Sequence, residues 1–286
     1  MEYVDLHTHS TASDGTETPE ALVRAAAACG LKAVALTDHD TAAGLDEAEA
    51  AGHACGIRVV RGCELAARTP YGEAHILGLW LPRDLGRLGS ALEALREKRA
   101  LRNMRMVEKL CGLGLDISCE EVLREAGEGS VGRPHMAAVL VRKGYAHSVR
   151  EAFARYLGYG GAAFVEREVL EPAQAVQLLC EAGATAVLAH PCLLPCPRDW
   201  LEGFVRELAG AGLTGLEAYH SEHDAAQTRQ CVELAGKYGL ELSGGSDFHG
   251  GNKPGIRLGV GRGGLRVPAF VLERLLARRA RLGLPA

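Results

Sequence analysis

Short apolar runs alternate with alanine-rich segments along the first part of the chain. LKAVALTDHD predicts a buried strand with a polar end, and IRVVRGCE and EAHILGLWL predict two further strands. Before them, TPEALVRAAAACG predicts a helix that Thr18 caps, with Pro19 at its first position and Gly30 at its end. Strands and helices that alternate in this way are typical of a parallel α/β protein.

The pattern changes after Pro82 and returns after about Gly160. Between these positions helical periodicity dominates, and LEALREKRALRNMRMVEKL predicts one long helix. Strand and helix units resume with AVQLLCEAGATAVLAHP, FVRELAGAGLTGLEAYH and CVELAGKYGLELSGGSDFH. We therefore predict a parallel α/β barrel built from residues 1–82 and 161–286. Residues 83–160 are predicted to be a helical insertion that leaves from a loop and caps one face of the barrel.

Polar side chains that can bind metal ions stand at the ends of the predicted strands. The carboxyl ends of the strands in a parallel barrel open on one face, where active sites are built. His7 and His9 point the same way because side chains alternate along a strand. The remaining candidates follow later strands or lie on one: Asp38, His39, Asp40, Glu64, His75, His190, Asp247 and His249.

These polar residues have to be judged as a set, since a lone histidine at a strand end is more often an ordinary polar residue than a ligand. Unpaired carboxylates and imidazoles crowded at one barrel mouth would repel one another or lose hydration. Cations remove that cost. Nitrogen and oxygen ligands without thiolate favour zinc, manganese or iron over calcium or magnesium.

Composition and charge narrow the class of protein. Of the 286 residues 47% are hydrophobic, which fits a globular chain, and the net charge of −4 gives no basic field for long nucleic acids. We expect no membrane span, because no apolar run approaches ~20 residues. We expect a cytoplasmic location, because the N-terminus has no signal-peptide pattern. Cys192 and Cys196 form a CxxxC spacing that is weak for zinc, and most of the nine cysteines are expected to be small buried residues.

Six short motifs make the chain similar to the PHP superfamily, the polymerase and histidinol phosphatase domain. They are DLHTHS at 5–10, TDHD at 37–40, GCE at 62–64, the strand with His75, AHP at 189–191 and SDFH at 246–249. The resemblance implies a distorted seven-stranded barrel with a cluster of up to three metal ions. The SDGT segment and the helical insertion resemble metal-dependent phosphoesterases that hydrolyse nucleotides, most closely the 3′,5′-nucleoside bisphosphate phosphatases.

The family's ligand pattern, carried over residue by residue, implies nine ligands. One ion would take His7, His9 and Asp247, with Glu64 as a bridge. A second would take Glu64, His75 and His190, and a third would take Asp14, His39 and His249. Histidinol phosphatases and some polymerase domains often have His where Asp14 stands. The expected cofactors are two to three Mn, Zn or Fe ions, and His39 or His249 could also shuttle a proton.

Basic residues of the insertion indicate where a substrate binds. Arginines at positions 96, 99, 102 and 105 recur every three residues, so two or three of them share one face of the helix. A solvated charged face is the simpler interpretation. GRPH at 132–135 adds two basic residues, and the resemblance implies a second phosphate clamp at such positions. The residues expected to contact substrate are Arg99, Arg102, Arg133, His135 and His223.

Clustered metal ions suit displacement at phosphorus without a protein nucleophile. We therefore expect hydrolysis of a phosphate monoester of a small nucleotide, such as a 3′,5′-bisphosphonucleotide. The alternatives are an exonuclease for short oligonucleotides, a histidinol-phosphate-type phosphatase and a non-catalytic metal-binding domain. An aromatic content of 5% disfavours a long strand-binding track. The oligomeric state and the role of His220 stay open.

Overall fold

A curved sheet of eight strands forms the centre of the protein in the computed structural model, which describes residues 2–127 and 131–285. The strands are β1 (Tyr3–Asp5), β2 (Ala33–Leu36), β3 (Arg58–Thr69), β4 (Gly72–Leu79), β5 (Thr185–Ala189), β6 (Gly215–His220), β7 (Glu241–Gly245) and β8 (Val267–Pro268). The first seven follow one another in chain order, and β8 pairs antiparallel with β1. Leu6 N donates to Gly244 O at 3.1 Å, so the end of β1 also meets β7. The sheet is therefore a nearly closed barrel, as the resemblance implies, with eight strands where seven were expected.

The strands are not all parallel, and the prediction of a parallel barrel is wrong for β4 as well as for the short β8. Strand β4 runs antiparallel to both β3 and β5. Pro70 and Tyr71 alone connect β3 to β4, and so short a connection can form a hairpin but not a parallel crossover. The reversal brings the first half of β4 to the barrel mouth, where His75 pairs with Ala189 at the end of β5.

Helices surround the barrel and extend past its mouth. The α-helices in the described residues are α1 (Pro19–Ala28), α2 (Leu45–Cys55), α3 (Gly86–Gly112), α4 (Cys119–Ala126), α5 (Arg133–Arg142), α6 (Val149–Ala152), α7 (Pro172–Glu181), α8 (Arg198–Ala211), α9 (Ala225–Tyr238) and α10 (Ala269–Arg281). A π-helical turn (Phe153–Leu157) continues α6. Thr18 caps α1 as predicted, because its hydroxyl accepts a hydrogen bond from Ala21 N at 3.1 Å. One face of the sheet packs against α1, α2 and α7 to α9, and the other packs with α10. No helix within residues 2–127 or 131–285 has the length and apolarity needed to cross a membrane.

The helical insertion follows β4, and α3 is its one long helix, as predicted. The first half of α3, up to Leu95, packs into the core around the barrel. From Met106 onward it belongs to a separate core that it shares with α4 and α5. Arg99 and Arg102 lie between these two parts of the helix. The boundaries of the insertion at residues 83 and 160 stay a prediction.

Candidate metal centre

The first two histidines meet just beyond the end of β1. His7 and His9 are fully buried, and their Nε2 atoms lie 3.1 Å apart. Asp247 follows β7, and its Oδ1 is 3.7 Å from His7 Nε2 and 3.3 Å from His9 Nε2. The carboxylate of Asp5 fixes this arrangement by accepting a hydrogen bond from Ser246 N at 2.8 Å. Three residues predicted for the first metal ion are therefore brought together.

Glu64 lies at the centre of the cluster, with its carboxylate between five imidazoles. Its Oε2 is 3.4, 3.2 and 3.0 Å from ring nitrogens of His7, His9 and His39. Its Oε1 is 2.8 Å from His75 Nδ1 and 3.2 Å from His190 Nε2. Burial would raise the pKa of Glu64, but the histidines, His39 first, hold that pKa well below its usual range. Each oxygen faces its own set of nitrogens, which suits a carboxylate that bridges two cations.

Asp14 forms a further corner of the cluster with His39 and His249. Its Oδ1 is 3.3 Å from His249 Nε2 and 3.9 Å from His39 Nε2. The turn that carries it requires Gly15, because a Cβ there would lie 2.3 Å from the carbonyl oxygen of His9. The ligand atoms of His9, Asp14, His39 and His249 all lie within 4.8 Å of one another. This group contains the three residues predicted for the third ion and adds His9.

The structure brings all nine predicted ligands into four such groups, each with its ligand atoms within 4.8 Å of one another. The other three groups are His7 with Glu64 and His190, His7 with His9 and Asp247, and His39 with Glu64 and His75. Several residues belong to more than one group. The division of the nine among separate ions therefore stays a prediction.

The donor atoms of this cluster fit divalent cations. Several of them, including His9 Nδ1, Glu64 Oε2 and His75 Nδ1, lie close to other polar atoms of the cluster but make no hydrogen bond of good geometry among the described residues. Buried polar atoms are otherwise nearly always paired. Burial, with the neighbouring histidines, lowers the pKa of His9 to about 4, and burial lowers that of His190 to about 4. Both rings are then neutral at pH 7 and can donate a lone pair to a cation, and a mixture of imidazoles and carboxylates suits zinc, manganese or iron.

A cavity of about 190 Å³ opens beside the cluster, between the barrel mouth and the insertion. Its barrel side is lined by Asp14, His39, His75 and His249. Its other side, called the basic wall below, is lined by Arg99, Arg102, Arg133 and Arg167. A substrate in this cavity therefore touches the metal-ligand cluster and the arginines at once.

The four arginines of the basic wall face two carboxylates, Asp40 and Glu73, so positive charge exceeds negative charge there. Asp40 Oδ2 accepts hydrogen bonds from Arg99 Nη2 at 2.5 Å and from Arg167 Nη1 at 2.6 Å. Burial would raise the pKa of Asp40, but these two guanidinium groups hold it at about 2. Arg102 Nε is buried without a hydrogen-bond partner in the described parts of the chain, and burial together with Arg133 lowers the Arg102 pKa to about 9. An anion between these side chains would offset the cost of burying the Arg102 and Arg133 charges next to each other.

Two predicted substrate residues are engaged in other contacts. His135 Nδ1 accepts a hydrogen bond from Gly132 N at 3.0 Å at the start of α5. His223 lines a second cavity together with His220, and its Nδ1 lies 3.1 Å from Ala218 O. A substrate contact by either histidine stays a prediction.

Comparison with known proteins decides the family. The PHP domain model matches residues 5–114. The chain is 35% identical over 248 residues to the 5′-3′ exoribonuclease of Haemophilus influenzae, with 86% of this chain and 89% of the relative covered. The chain belongs to the PHP family.

Other relatives of this PHP protein carry the names of different phosphoesterases. It is 34% identical over 272 residues to the phosphoribosyl 1,2-cyclic phosphate 1,2-diphosphodiesterase of Eggerthella lenta, covering 93% of this chain and 99% of the relative. It is 32% identical over 260 residues to the 3′,5′-nucleoside bisphosphate phosphatase of Chromobacterium violaceum, covering 91% of each. A solved structure from Bifidobacterium adolescentis, described as a metal-dependent phosphoesterase, covers 97% of this chain and 96% of that chain, with a TM-score of 0.87 at 30% identity. The protein is a metal-dependent phosphoesterase.

Two charged residues that support the PHP site were not predicted. Glu217 Oε1 is 3.1 Å from His7 Nδ1, and its Oε2 accepts a hydrogen bond from His190 N at 2.7 Å. Lys253 Nζ lies 2.5 Å from Asp247 Oδ2. A carboxylate in the otherwise apolar strand GLEA is a signal that could have identified Glu217. Lys253 lies in a glycine-rich turn that gives no such signal.

Arg167 and His220 also lie beside the metal-ligand cluster and its cavity. Arg167 lies in FVEREVL, where alternating charges suggest an exposed segment, yet the side chain is buried and lines the cavity. His220, whose role the sequence left open, has its Nε2 3.5 Å from Asp247 Oδ2. Both residues are placed by the fold rather than by a motif.

Proposed function

We propose that the protein hydrolyses a phosphate monoester of a small nucleotide that carries a second phosphate, such as a 3′,5′-bisphosphonucleotide. The observation that carries this proposal is that the basic wall faces the metal-ligand cluster across a single cavity. One phosphate of such a nucleotide would meet the cluster while the other meets the arginines. The name of the Chromobacterium violaceum relative is consistent with this class of substrate.

We assign the nine clustered residues as ligands of two to three Mn, Zn or Fe ions. They are His7, His9, Asp14, His39, Glu64, His75, His190, Asp247 and His249. When bound, divalent ions polarise phosphoryl oxygens and lower the pKa of water to about 7, so that no protein nucleophile is needed. Glu217 would hold the His7 ring in the orientation that turns its Nε2 toward the cluster.

The side chains of the cavity would bind the substrate and manage its charge. Arg102 and Arg133 are proposed to hold the phosphate that does not react. Arg99 and Arg167 are oriented by Asp40 and would add positive charge beside it. Binding energy from the remote phosphate can lower the barrier for the reacting one.

Proton transfer would fall to the histidines that line the cavity. His39 and His249 both face it and both approach Asp14. We propose that whichever of the two is not bound to an ion when the substrate reacts donates a proton to the oxygen of the leaving nucleotide. Glu64 is buried and ionised, and its catalytic part would be to hold the cluster together rather than to move a proton.

Residues 83–160 are proposed to act as a cap that selects short substrates. Helices α3 and α5 supply Arg99, Arg102 and Arg133 to the cavity, so the insertion forms one of its walls. A cavity bounded in this way suits a mononucleotide better than a long strand. The histidinol-phosphate alternative is less well supported, because a substrate with one phosphate leaves the basic wall without a ligand.

A second candidate is exonucleolytic hydrolysis of short oligonucleotides, which the 35% identity to an exoribonuclease favours. The first nucleotide of a 5′-phosphorylated oligonucleotide also carries two phosphoryl groups on one ribose. The same cluster and basic wall would therefore engage it, and the two substrates differ in the group that leaves.

The test is to measure kcat/KM of the Mn²⁺-loaded protein on four substrates. They are adenosine 3′,5′-bisphosphate, adenosine 3′-monophosphate, adenosine 5′-monophosphate and a 5′-phosphorylated dinucleotide. We expect the bisphosphate to exceed both monophosphates by about ten- to a hundredfold, since a charge-assisted contact to phosphate is worth roughly 1.5–3 kcal/mol. Equal values for all four would contradict the proposal. A higher value for the dinucleotide than for the bisphosphate would favour the second candidate.

A further inference from the structure

Two cysteines and a histidine come together outside the candidate metal centre. Cys192 lies in the short helical turn Pro191–Leu193 that follows β5, and Cys231 lies in α9. His223 lies just before α9, next to its cap residue Asp224. The two sulfur atoms are 3.5 Å apart, and one ligand atom from each of the three residues lies within 4.8 Å of the others.

The surrounding contacts hold these residues in place. Gln227 Nε2 donates to the carbonyl oxygen of Cys192 at 3.3 Å and so ties the turn to the start of α9. Asp224 caps α9 by accepting hydrogen bonds from Ala226 N at 2.7 Å and Gln227 N at 2.8 Å. Cys231 is fully buried. The turn after β5 is therefore tied to the start of α9, and these two neighbouring segments supply the three side chains.

The ring of His223 has a defined tautomer. Its Nδ1 lies 3.1 Å from the carbonyl oxygen of Ala218, which can only accept, so Nδ1 carries the proton. Its Nε2 then has a free lone pair, and this buried atom makes no hydrogen bond of good geometry among the residues described, although the backbone of His190 lies near the ring. Histidines that bind metal ions commonly donate the proton on their other nitrogen to a backbone carbonyl in this way.

Two simpler interpretations explain less. Buried cysteines often act as small apolar residues, but that leaves His223 Nε2 unsatisfied. A disulfide requires sulfur atoms about 2.05 Å apart, whereas Cys192 and Cys231 are both free thiols separated by 3.5 Å. With Zn–S bonds of about 2.3 Å, two thiolates on one tetrahedral ion stand about 3.8 Å apart. The observed sulfur separation is within a few tenths of an ångström of that value.

We propose that Cys192, Cys231 and His223 bind one zinc ion, with water in the fourth position. This site shares no residue with the nine-residue cluster, and its sulfur donors are softer than the imidazoles and carboxylates there. It joins the turn directly after His190 to the loop between β6 and α9. A bound ion would brace the backbone at His190, which has an unusual φ of 28°. In this proposal His223 is a ligand of the zinc ion rather than a contact of the substrate.

The test uses Co²⁺ as the probe, because thiolate ligands give it a charge-transfer band that imidazole and carboxylate ligands do not. Metal-depleted, reduced protein is titrated with Co²⁺ while absorbance and bound cobalt are measured. We expect the wild type to develop the band as one equivalent of Co²⁺ binds at this site. Cys192→Ser should lose the band and bind one equivalent of cobalt less than the wild type. Cys180→Ser is the matched control, since Cys180 is also a half-buried free thiol, and it should keep both.

A second variant separates binding from folding. His223→Gln removes the nitrogen ligand and leaves both sulfur atoms, so the band should appear at a cobalt concentration at least tenfold higher. Added Zn²⁺ should raise the melting temperature of metal-depleted Cys180→Ser more than that of Cys192→Ser. A wild-type protein without the band, or an unchanged band in Cys192→Ser, would overturn the proposal. A His223→Gln variant that binds cobalt as tightly as the wild type would also overturn it.

Discussion

Arg99 Nη2 lies 2.5 Å from Asp40 Oδ2 and joins the middle of α3 to the segment that follows β2. Arg167 Nη1 approaches the same oxygen at 2.6 Å, although Arg167 lies 127 residues after Asp40 in the chain. One buried carboxylate therefore orients half of the basic wall. The contact also fixes the insertion to the barrel beside the metal-ligand cluster.

Asp40→Asn should destabilise the protein by about 3–5 kcal/mol, because it leaves two buried guanidinium groups without their charge partner. The free energy of unfolding in denaturant at pH 7 measures the effect. Asp46→Asn is the control: Asp46 also contacts two arginines, at 2.6 and 2.9 Å, but its side chain is 73% exposed. We expect a loss of ~0–1 kcal/mol there. Similar losses in the two variants would show that burial does not strengthen the Asp40 contact.

The same carboxylate predicts a pH dependence of stability. Asp40 has its pKa lowered from 3.8 to about 2 in the folded protein, so its contribution is present above pH 3.8 and is lost as the pH falls toward 2. The difference in unfolding free energy between wild type and Asp40→Asn should therefore shrink over this range. A difference that stays constant from pH 5 to about pH 2 would mean that the charge of Asp40 is not its source.

Glu217→Gln should weaken metal binding by about 10- to 100-fold while the fold is kept. Both carboxylate oxygens of Glu217 accept hydrogen bonds, one from His7 Nδ1 and the other from His190 N. An amide has only one oxygen, so one of these contacts must be lost. Competition with a chelator measures the dissociation constant of the ion. Glu222→Gln, at an exposed residue paired with Arg262, should leave that constant unchanged, and an equal change in both variants would argue against a positioning role for Glu217.

Arg102→Ala should lower kcat/KM about ten- to a hundredfold on adenosine 3′,5′-bisphosphate, the size expected for one charge-assisted contact to phosphate. It should have little effect on p-nitrophenyl phosphate, which has no second phosphate. Arg105→Ala is the matched control on the same helix, because Arg105 is exposed whereas Arg102 is buried in the cavity wall. Equal losses on the two substrates would place Arg102 at the reacting phosphate or in a structural role.

The alternation of strands and helices and the polar strand ends predict much of this structure. The convergence of eight of the nine clustered residues followed from the predicted strands, because strand ends in a barrel share one face, whereas Asp14 entered the set only through the family resemblance. The direction of β4 did not follow from that rule, because the predicted strands ended at Glu64 and resumed at Glu73, whereas β3 continues to Thr69 and leaves only two residues for the connection. Spacing by three along α3 does not distinguish the buried Arg102 from the exposed Arg105, because burial depends on what packs against the helix.

Residues that act through distant partners could not be predicted from local patterns. Glu217 lies 210 residues from His7, and neither position indicates the other. Arg167 lies in a segment whose charges resemble an exposed surface, and it is buried only because the fold places it beside Asp40. Such pairs are specified by the packing of the whole chain rather than by spacing along it.

The most direct test measures metal content and kcat of the wild type and of the Glu64→Gln variant together. Wild-type protein should contain two to three divalent ions per chain by elemental analysis, lose activity with a chelator and regain it with Mn²⁺. Glu64→Gln should bind fewer ions and lose at least about a hundredfold in kcat, because a neutral amide bridges two cations poorly and leaves their repulsion uncompensated. Glu181→Gln, at an exposed carboxylate paired with Arg87, should match the wild type in both measurements. Full activity of metal-free protein, or a Glu64→Gln variant with wild-type metal content and kcat, would contradict metal-dependent hydrolysis at this cluster.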